Sequence, residues 1–263
     1  MNIVFKDKNL DKIFKEDGFV ILKDAVSFDF KASYNYFNEL QSNVNGKFYA
    51  SLWSNDRKYR ENVDNEIKKR LSIISEKYLE NYESFFGDLL VKKPSLNHKF
   101  DWHQDWTFVD EEKYSSVYIW CPLQDVSKTN GCLMVIPGSH LYYKNIRGSN
   151  IKPTYNTAEI EALAKEKKQY LSVNKGDVVI FNQSLFHASP PNRTFKNRLA
   201  IGLLCLPKNI DIFHYHFNHE QQKIEKYKID YEFIMNFSNE QDFLKNLYSL
   251  NIQKPKGAIL AEN

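Results

Sequence analysis

Over the first third of the chain, apolar residues recur at three- and four-residue spacing. Beyond it they gather into short runs bounded by turn residues. Leu10, Ile13 and Phe14 share one helical face, which predicts a short helix from Asn9 to Lys15 ended by Gly18. Phe19-Val20-Ile21-Leu22 then reads as a strand. Ser27 is the expected cap of a second helix reaching Val44, with Phe30, Tyr34, Phe37 and Leu40 on its buried face. Asn45-Gly46 signals a turn. Ile67, Leu71, Ile74, Tyr78 and Leu79 predict a longer helix from Asn62 to Phe86, stopped by Gly87.

After Gly87 the pattern changes. Leu89–Val91, Val117–Cys121, Leu133–Ile136, Tyr170–Val173, Val178–Phe181 and Leu199–Leu206 are short, rich in β-formers and flanked by turn residues. Helices followed by such strands predict a mainly β sandwich or barrel buttressed by helices, rather than alternating β-α-β units. Residues 141–169 interrupt the strands with a charged helix from Ala158 to Lys168, for which Thr157 is the expected N-cap. This segment reads either as a surface insertion or as a lid over a binding site. The tail from Gln221 predicts helical stretches at 232–237 and 239–250 that pack against the β core.

Composition narrows the class. The chain has 263 residues, 42% hydrophobic and 15% aromatic, enough to bury a sizeable core. Its 36 basic and 33 acidic residues leave a net charge of +3, without the clustered excess expected of a nucleic-acid surface. Cys121, Cys132 and Cys205 sit in apolar runs without metal-site spacing and read as buried reduced thiols. The N-terminus lacks the apolar core of a signal peptide, and no run reaches membrane-spanning length. The expectation is a soluble, cytoplasmic protein.

The chemistry concentrates in Asp101-Trp102-His103-Gln104-Asp105-Trp106. In an extended segment residues i and i+2 share a face, so His103 and Asp105 can converge on one ion. A third ligand must come from elsewhere, and His187 is the candidate. Arg198 follows it at the start of an apolar strand. Taken singly these residues are commonplace. Together, two His and one carboxylate that leave coordination positions open are the pattern of non-heme Fe(II) oxygenases. The competing cluster, His214, His216 and His219, lacks a carboxylate or Cys to complete it.

The same residues carry a wider resemblance. His103-Gln104-Asp105, Asn130-Gly131-Cys132-Leu133-Met134-Val135-Ile136-Pro137-Gly138-Ser139-His140, Lys175-Gly176-Asp177, His187-Ala188-Ser189-Pro190-Pro191-Asn192 and Arg198 stand in one order. With the opening Glu16-Asp17-Gly18-Phe19-Val20-Ile21-Leu22, they resemble the phytanoyl-CoA dioxygenase family over roughly residues 10–206. The resemblance implies a double-stranded β-helix (jelly roll), with Fe(II), 2-oxoglutarate and O2 as cofactor and cosubstrates. It implies one domain over the chain: a helical buttress at 1–88, a jelly-roll core at 89–206 and a helical extension at 207–263.

His103, Asp105 and His187 would hold the iron at the barrel mouth. Arg198 would hold the far carboxylate of 2-oxoglutarate through paired N–H···O bonds, in preference to Arg193 in its turn. Gln104, Trp120 and Ser189 occupy positions that often touch 2-oxoglutarate in the family. Halogenating relatives lack the carboxylate, so Asp105 favours hydroxylation of a C–H bond in a small metabolite or natural-product intermediate, with release of succinate and CO2. Desaturation, cyclisation or epimerisation on the same centre stays open, as does a cupin-like or non-catalytic β-barrel. Trp102, Trp106, Asn97, Lys99 and Tyr118 are candidate substrate contacts. Oligomeric state is not legible.

Overall fold

The computed structural model describes residues 2–40 and 46–236. The N-terminal part contains α1 (Lys8–Asp17), β1 (Phe19–Leu22), α2 (Phe30–Leu40), β2 (Phe48–Ala50) and α3 (Arg57–Tyr78). Then come β3 (Tyr82–Lys92), β4 (Phe100–His103), β5 (Val117–Pro122), β6 (Leu133–Val135) and α4 (Thr157–Lys167). The chain continues through β7 (Gln169–Leu171), β8 (Val178–Asn182), β9 (His187–Ser189), β10 (Arg198–Pro207), β11 (Ile212–Asn218), β12 (Lys223–Ile229) and α5 (Tyr231–Asn236). A six-stranded sheet has the order β1-β8-β5-β10-β3-β2, and a four-stranded sheet the order β4-β9-β6-β7. All their pairings are antiparallel. The two sheets form the double-stranded β-helix.

The apolar runs of the large sheet are continuous because both of its faces are buried. Val117, Ile119 and Cys121 of β5 face the helices together with Leu199, Ile201 and Leu203 of β10. They meet Phe14, Phe37, Val63, Ile67, Leu71 and Ile74 there. The alternate residues Tyr118, Trp120, Ala200, Leu204, Val179 and Phe181 face the barrel interior. The period-two alternation of strands thus divides one apolar run between two cores. Within this inner row Gly202 is required: a Cβ there would lie 1.9 Å from the Tyr118 hydroxyl oxygen.

Several boundaries differ from the sequence reading. The long helix starts at Arg57, where the Asp56 side chain accepts from the Tyr59 N–H, and it ends at Tyr78. Asn81 turns the chain with φ of 60°, a conformation Asn tolerates, and 82–86 are strand rather than helix. Gly87 therefore stops no helix. It sits inside β3 where a Cβ would meet Ile67 at 2.8 Å, so it lets α3 press against the sheet.

Asp29, not Ser27, caps α2 by accepting from the Ala32 N–H, and the expected continuation of that helix beyond Leu40 to Val44 lies outside the described residues. The cap of α4 is Asn156 rather than Thr157. Within the described residues, much of the expected helical extension after 206 is the β11–β12 hairpin, followed by the helix α5. The helix expected at 239–250 lies outside the described residues, as does Asn45. All three cysteines are buried and free. Among the described residues, no helix is long and apolar enough to cross a membrane.

Candidate metal centre and active-site cavity

Cross-strand pairing assembles the metal ligands. His103 ends β4 and lies opposite His187 at the start of β9, with ring centroids 4.1 Å apart. Each imidazole has Nδ1 on a backbone carbonyl two residues back: His103 on Asp101 at 2.8 Å and His187 on Leu185 at 3.0 Å. A carbonyl only accepts, so Nδ1 carries the proton and Nε2 is left as a donor atom toward the centre.

Asp105 lies just beyond β4, and its backbone N–H donates to the Gln183 carbonyl at 2.9 Å. Its Oδ1 stands 3.9 Å from His103 Nε2 and 3.7 Å from His187 Nε2. One ligand atom from each residue lies within 4.8 Å of the others, which makes a two-imidazole, one-carboxylate donor set suited to Fe(II). Burial and the neighbouring His187 push His103 below its ordinary pKa, keeping it the neutral ligand that a metal needs. Burial raises Asp105, opposed by His187, Arg147 and a side-chain hydrogen bond from Gln183.

The triad opens into a cavity of about 680 Å³. Arg198 reaches it from the first position of β10, 3% exposed and with its guanidinium 5.7 Å from the Trp120 ring centroid. Its Nε and Nη1 have no hydrogen-bond partner among the described residues. Lys92 is its register neighbour on β3 and is fully buried. Lys92 Nζ donates to Ser189 Oγ at 2.9 Å, and burial beside Arg198 brings its pKa down to about 7. Neither cation forms an ion pair with a carboxylate among the described residues. Two buried cations with unused donors fit an anion. The distal carboxylate of 2-oxoglutarate is of that kind.

The expected residues divide. Trp106, Tyr118, Trp120, Ser189 and Arg198 line the cavity with the metal ligands. Gln104 also borders it, but its amide donates to the Ser184 and Tyr143 carbonyls, bracing the loop between His103 and Asp105. Trp102 does not line it; it packs outward against Ile160, Ala164 and Phe186. Asn97 is exposed and also outside the lining, and Lys99 pairs with Asp101 and Glu161. None of these three expected substrate contacts borders the cavity. Residues 141–169 do not line the cavity either. They form a brace, in which Arg147 donates to the Asp105 carbonyl at 2.6 Å and chelates Glu111. His214 and His216 are joined through Ser149 Oγ beneath the β11–β12 hairpin, apart from the metal ligands.

Lys92, Asp88, Gln183 and Arg147 were missed. Phe86, Asp88 and Leu90 line the cavity on alternate positions of β3, with Lys92 next in the same row. That alternation was the available signal, and the helix expected through Phe86 concealed it.

Comparison with known proteins agrees with this geometry. The family model described as Phytanoyl-CoA dioxygenase (PhyH) matches residues 14–200, and the chain belongs to that family of Fe(II)/2-oxoglutarate-dependent dioxygenases. A relative from Oryza sativa subsp. japonica, "Phytanoyl-CoA dioxygenase 1", is 33% identical over 123 residues, 43% of this chain and 41% of that protein. "Phytanoyl-CoA dioxygenase" of Arabidopsis thaliana is 27% identical over 194 residues, 64% of this chain and 67% of that protein. The match to the rice protein thus spans less than half of its length.

Among solved structures, the non-heme alpha ketoglutarate dependent carbocyclase SnoK from nogalamycin biosynthesis superposes with a TM-score of 0.59 at 21% identity. It covers 79% of this chain and 86% of SnoK. The epimerase SnoN, in complex with Fe3+, alpha ketoglutarate and nogalamycin RO, gives 0.55 at 16% identity over 78% and 86%. At such identities these likenesses establish the fold.

Proposed function

We propose that the protein is an oxygenase using Fe(II), 2-oxoglutarate and O2 to hydroxylate an unactivated C–H bond of a small metabolite or natural-product intermediate. The observation that carries this reading is the meeting, in one cavity, of the His103–Asp105–His187 donor set with Arg198, a buried cation that pairs with no carboxylate among the described residues, while Lys92 stands behind the cavity-lining Ser189. Iron bound there supplies oxidation of a C–H bond at the expense of 2-oxoglutarate, which leaves as succinate and CO2.

The chain's own residues bind, orient and exclude water. Arg198 presents unused N–H donors to the distal carboxylate. Lys92 donates to Ser189 Oγ, so the Ser189 hydroxyl is free to donate its own proton into the cavity. Trp120 flattens the space beside Arg198, and Gln183 holds the Asp105 carboxylate. Phe48, Leu52, Phe86, Phe100, Phe108 and Tyr118 make the remaining wall largely apolar, which keeps bulk water from the substrate. With Asp105 as a ligand, no halide position is left, which favours transfer of oxygen to the substrate.

The test is direct. His103→Ala and Asp105→Ala should each lose stoichiometric Fe(II) binding, while Arg198→Ala retains iron and loses about 2–5 kcal/mol of 2-oxoglutarate affinity. Once a substrate is found, turnover under isotopically labelled O2 should place one labelled oxygen in the product. An unlabelled product would instead indicate desaturation, cyclisation or epimerisation.

A further inference from the structure

Besides the metal ligands, Arg198 and Ser189, three acidic or amide side chains line the cavity: Gln104, Gln183 and Asp88. The first two have assigned work on Ser184, Tyr143 and Asp105. Asp88 does not. It belongs to the inward row of β3, where Lys92 lies about 13 Å further along at 3.3 Å per residue. The row is therefore acidic at one end and basic at the other, with Leu90 between.

Asp88 is 5% exposed, and its Oδ1 accepts from Ser51 Oγ at 2.6 Å and from the Leu52 N–H at 3.1 Å. Those bonds favour the ionised form. No Lys, Arg or His among the described residues forms an ion pair with it. A three-residue turn can be pinned by a neutral Ser or Asn. Burying a carboxylate for that purpose costs several kcal/mol unless a cation arrives to offset it. Leu52 is bonded to it, Phe86 precedes it in the same inward row, and Phe108 and Tyr118 line the same cavity. A buried carboxylate in a cavity walled largely by apolar and aromatic side chains can recognise an ammonium, by charge from the carboxylate and by the ring quadrupoles of the wall.

We propose that Asp88 is the anchoring subsite for a cationic amine on an otherwise apolar substrate, a reading that rests on the oxygenase assignment of the same cavity. Burial, with Asp105 nearby, raises its pKa to about 6, so the carboxylate stays mostly ionised at neutral pH. The amine and the cosubstrate thus enter one cavity at opposite poles.

The test uses the full chain with Fe(II) and 2-oxoglutarate under anaerobic conditions. Matched probes, 4-phenylbutylamine, 4-phenylbutanol and 4-phenylbutyrate, are titrated by calorimetry and by the change in the iron–cosubstrate charge-transfer band. Wild type should bind the amine at least about ten-fold more tightly than the alcohol, and more tightly still than the acid. Asp88→Asn should erase that preference while leaving Fe(II) and 2-oxoglutarate binding intact. Three results overturn the proposal: equal binding of amine and alcohol, no amine binding at millimolar concentration, or a preference that survives Asp88→Asn. Should that variant not fold, the wild-type probe series decides alone. Failure of the band to form would count against the oxygenase reading instead, because calorimetry on the metal-free chain reports amine preference independently.

Discussion

Lys92 offers a test in which stability and binding move in opposite directions. A lysine held at about 7 instead of 10.5 is bound less well as a cation by the folded chain than by the unfolded one. At about 1.36 kcal/mol per pH unit, this costs the fold on the order of 4 kcal/mol at pH 7. Lys92→Met removes the charge while filling the same space. It forfeits the hydrogen bond to Ser189, about 1 kcal/mol, and leaves that hydroxyl less well oriented. After packing mismatch, the metal-free variant should still be about 2 kcal/mol more stable than wild type, about 5 °C in Tm for a chain of this size.

The pH dependence has a definite sign. Below pH 7 Lys92 is protonated in both states and the penalty is constant. From pH 7 to 10.5 the unfolded chain binds the extra proton, so wild-type stability rises with pH across that window. Lys92→Met should lack this rise. The same variant should bind 2-oxoglutarate about ten-fold more weakly. Urea unfolding at several pH values and calorimetric titration of 2-oxoglutarate measure both quantities. A variant that is less stable than wild type, with unchanged cosubstrate affinity, would refute the reasoning.

Other predictions address the supports of the site. Gln183→Ala, which removes the side-chain bond to Asp105, should weaken Fe(II) about 10–100-fold with little change in Tm, as read by competition with a colorimetric chelator. Arg147→Ala strands Glu111 and frees the Asp105 carbonyl. It should cost about 3 kcal/mol in urea unfolding and lower iron affinity as well. Gly87→Ala forces a methyl against Ile67 and should destabilise by about 1–3 kcal/mol without altering cosubstrate affinity. An unaffected Tm there would show that α3 sits farther from the sheet than described.

The legibility of the sequence tracked local physics. The triad could be read because its residue types are chemically restrictive and two of them lie two apart in an extended stretch. Strands such as Val178–Phe181 and Leu199–Leu206 were visible as apolar runs because both of their faces are buried. The end of α3 was hidden because Tyr78, Leu79, Tyr82 and Phe85 continue a helical spacing through a turn that only Asn81 marks. That error cut β3 back to Leu89–Val91, and with the rest of the strand went the inward row holding Asp88 and Lys92. Lys92 is followed by Lys93 and Pro94, so it reads as the frayed end of a surface strand. Its burial follows from pairing with both β2 and β10, a long-range fact. Arg147 was obscure for the same reason, since its partners lie 36 and 42 residues away. Trp102 shows the converse: adjacency to a ligand in sequence sends the next side chain to the opposite face of the strand.

The central claim is that His103, Asp105 and His187 hold an iron to which 2-oxoglutarate binds with its far carboxylate at Arg198 and Lys92. Anaerobic titration of the metal-free protein with Fe(II), then with 2-oxoglutarate, tests it most directly. A visible charge-transfer band at one equivalent of each, weakened in its 2-oxoglutarate midpoint by Arg198→Ala and absent in His103→Ala, is the predicted result. Bound iron without any such band on saturation with 2-oxoglutarate would contradict it.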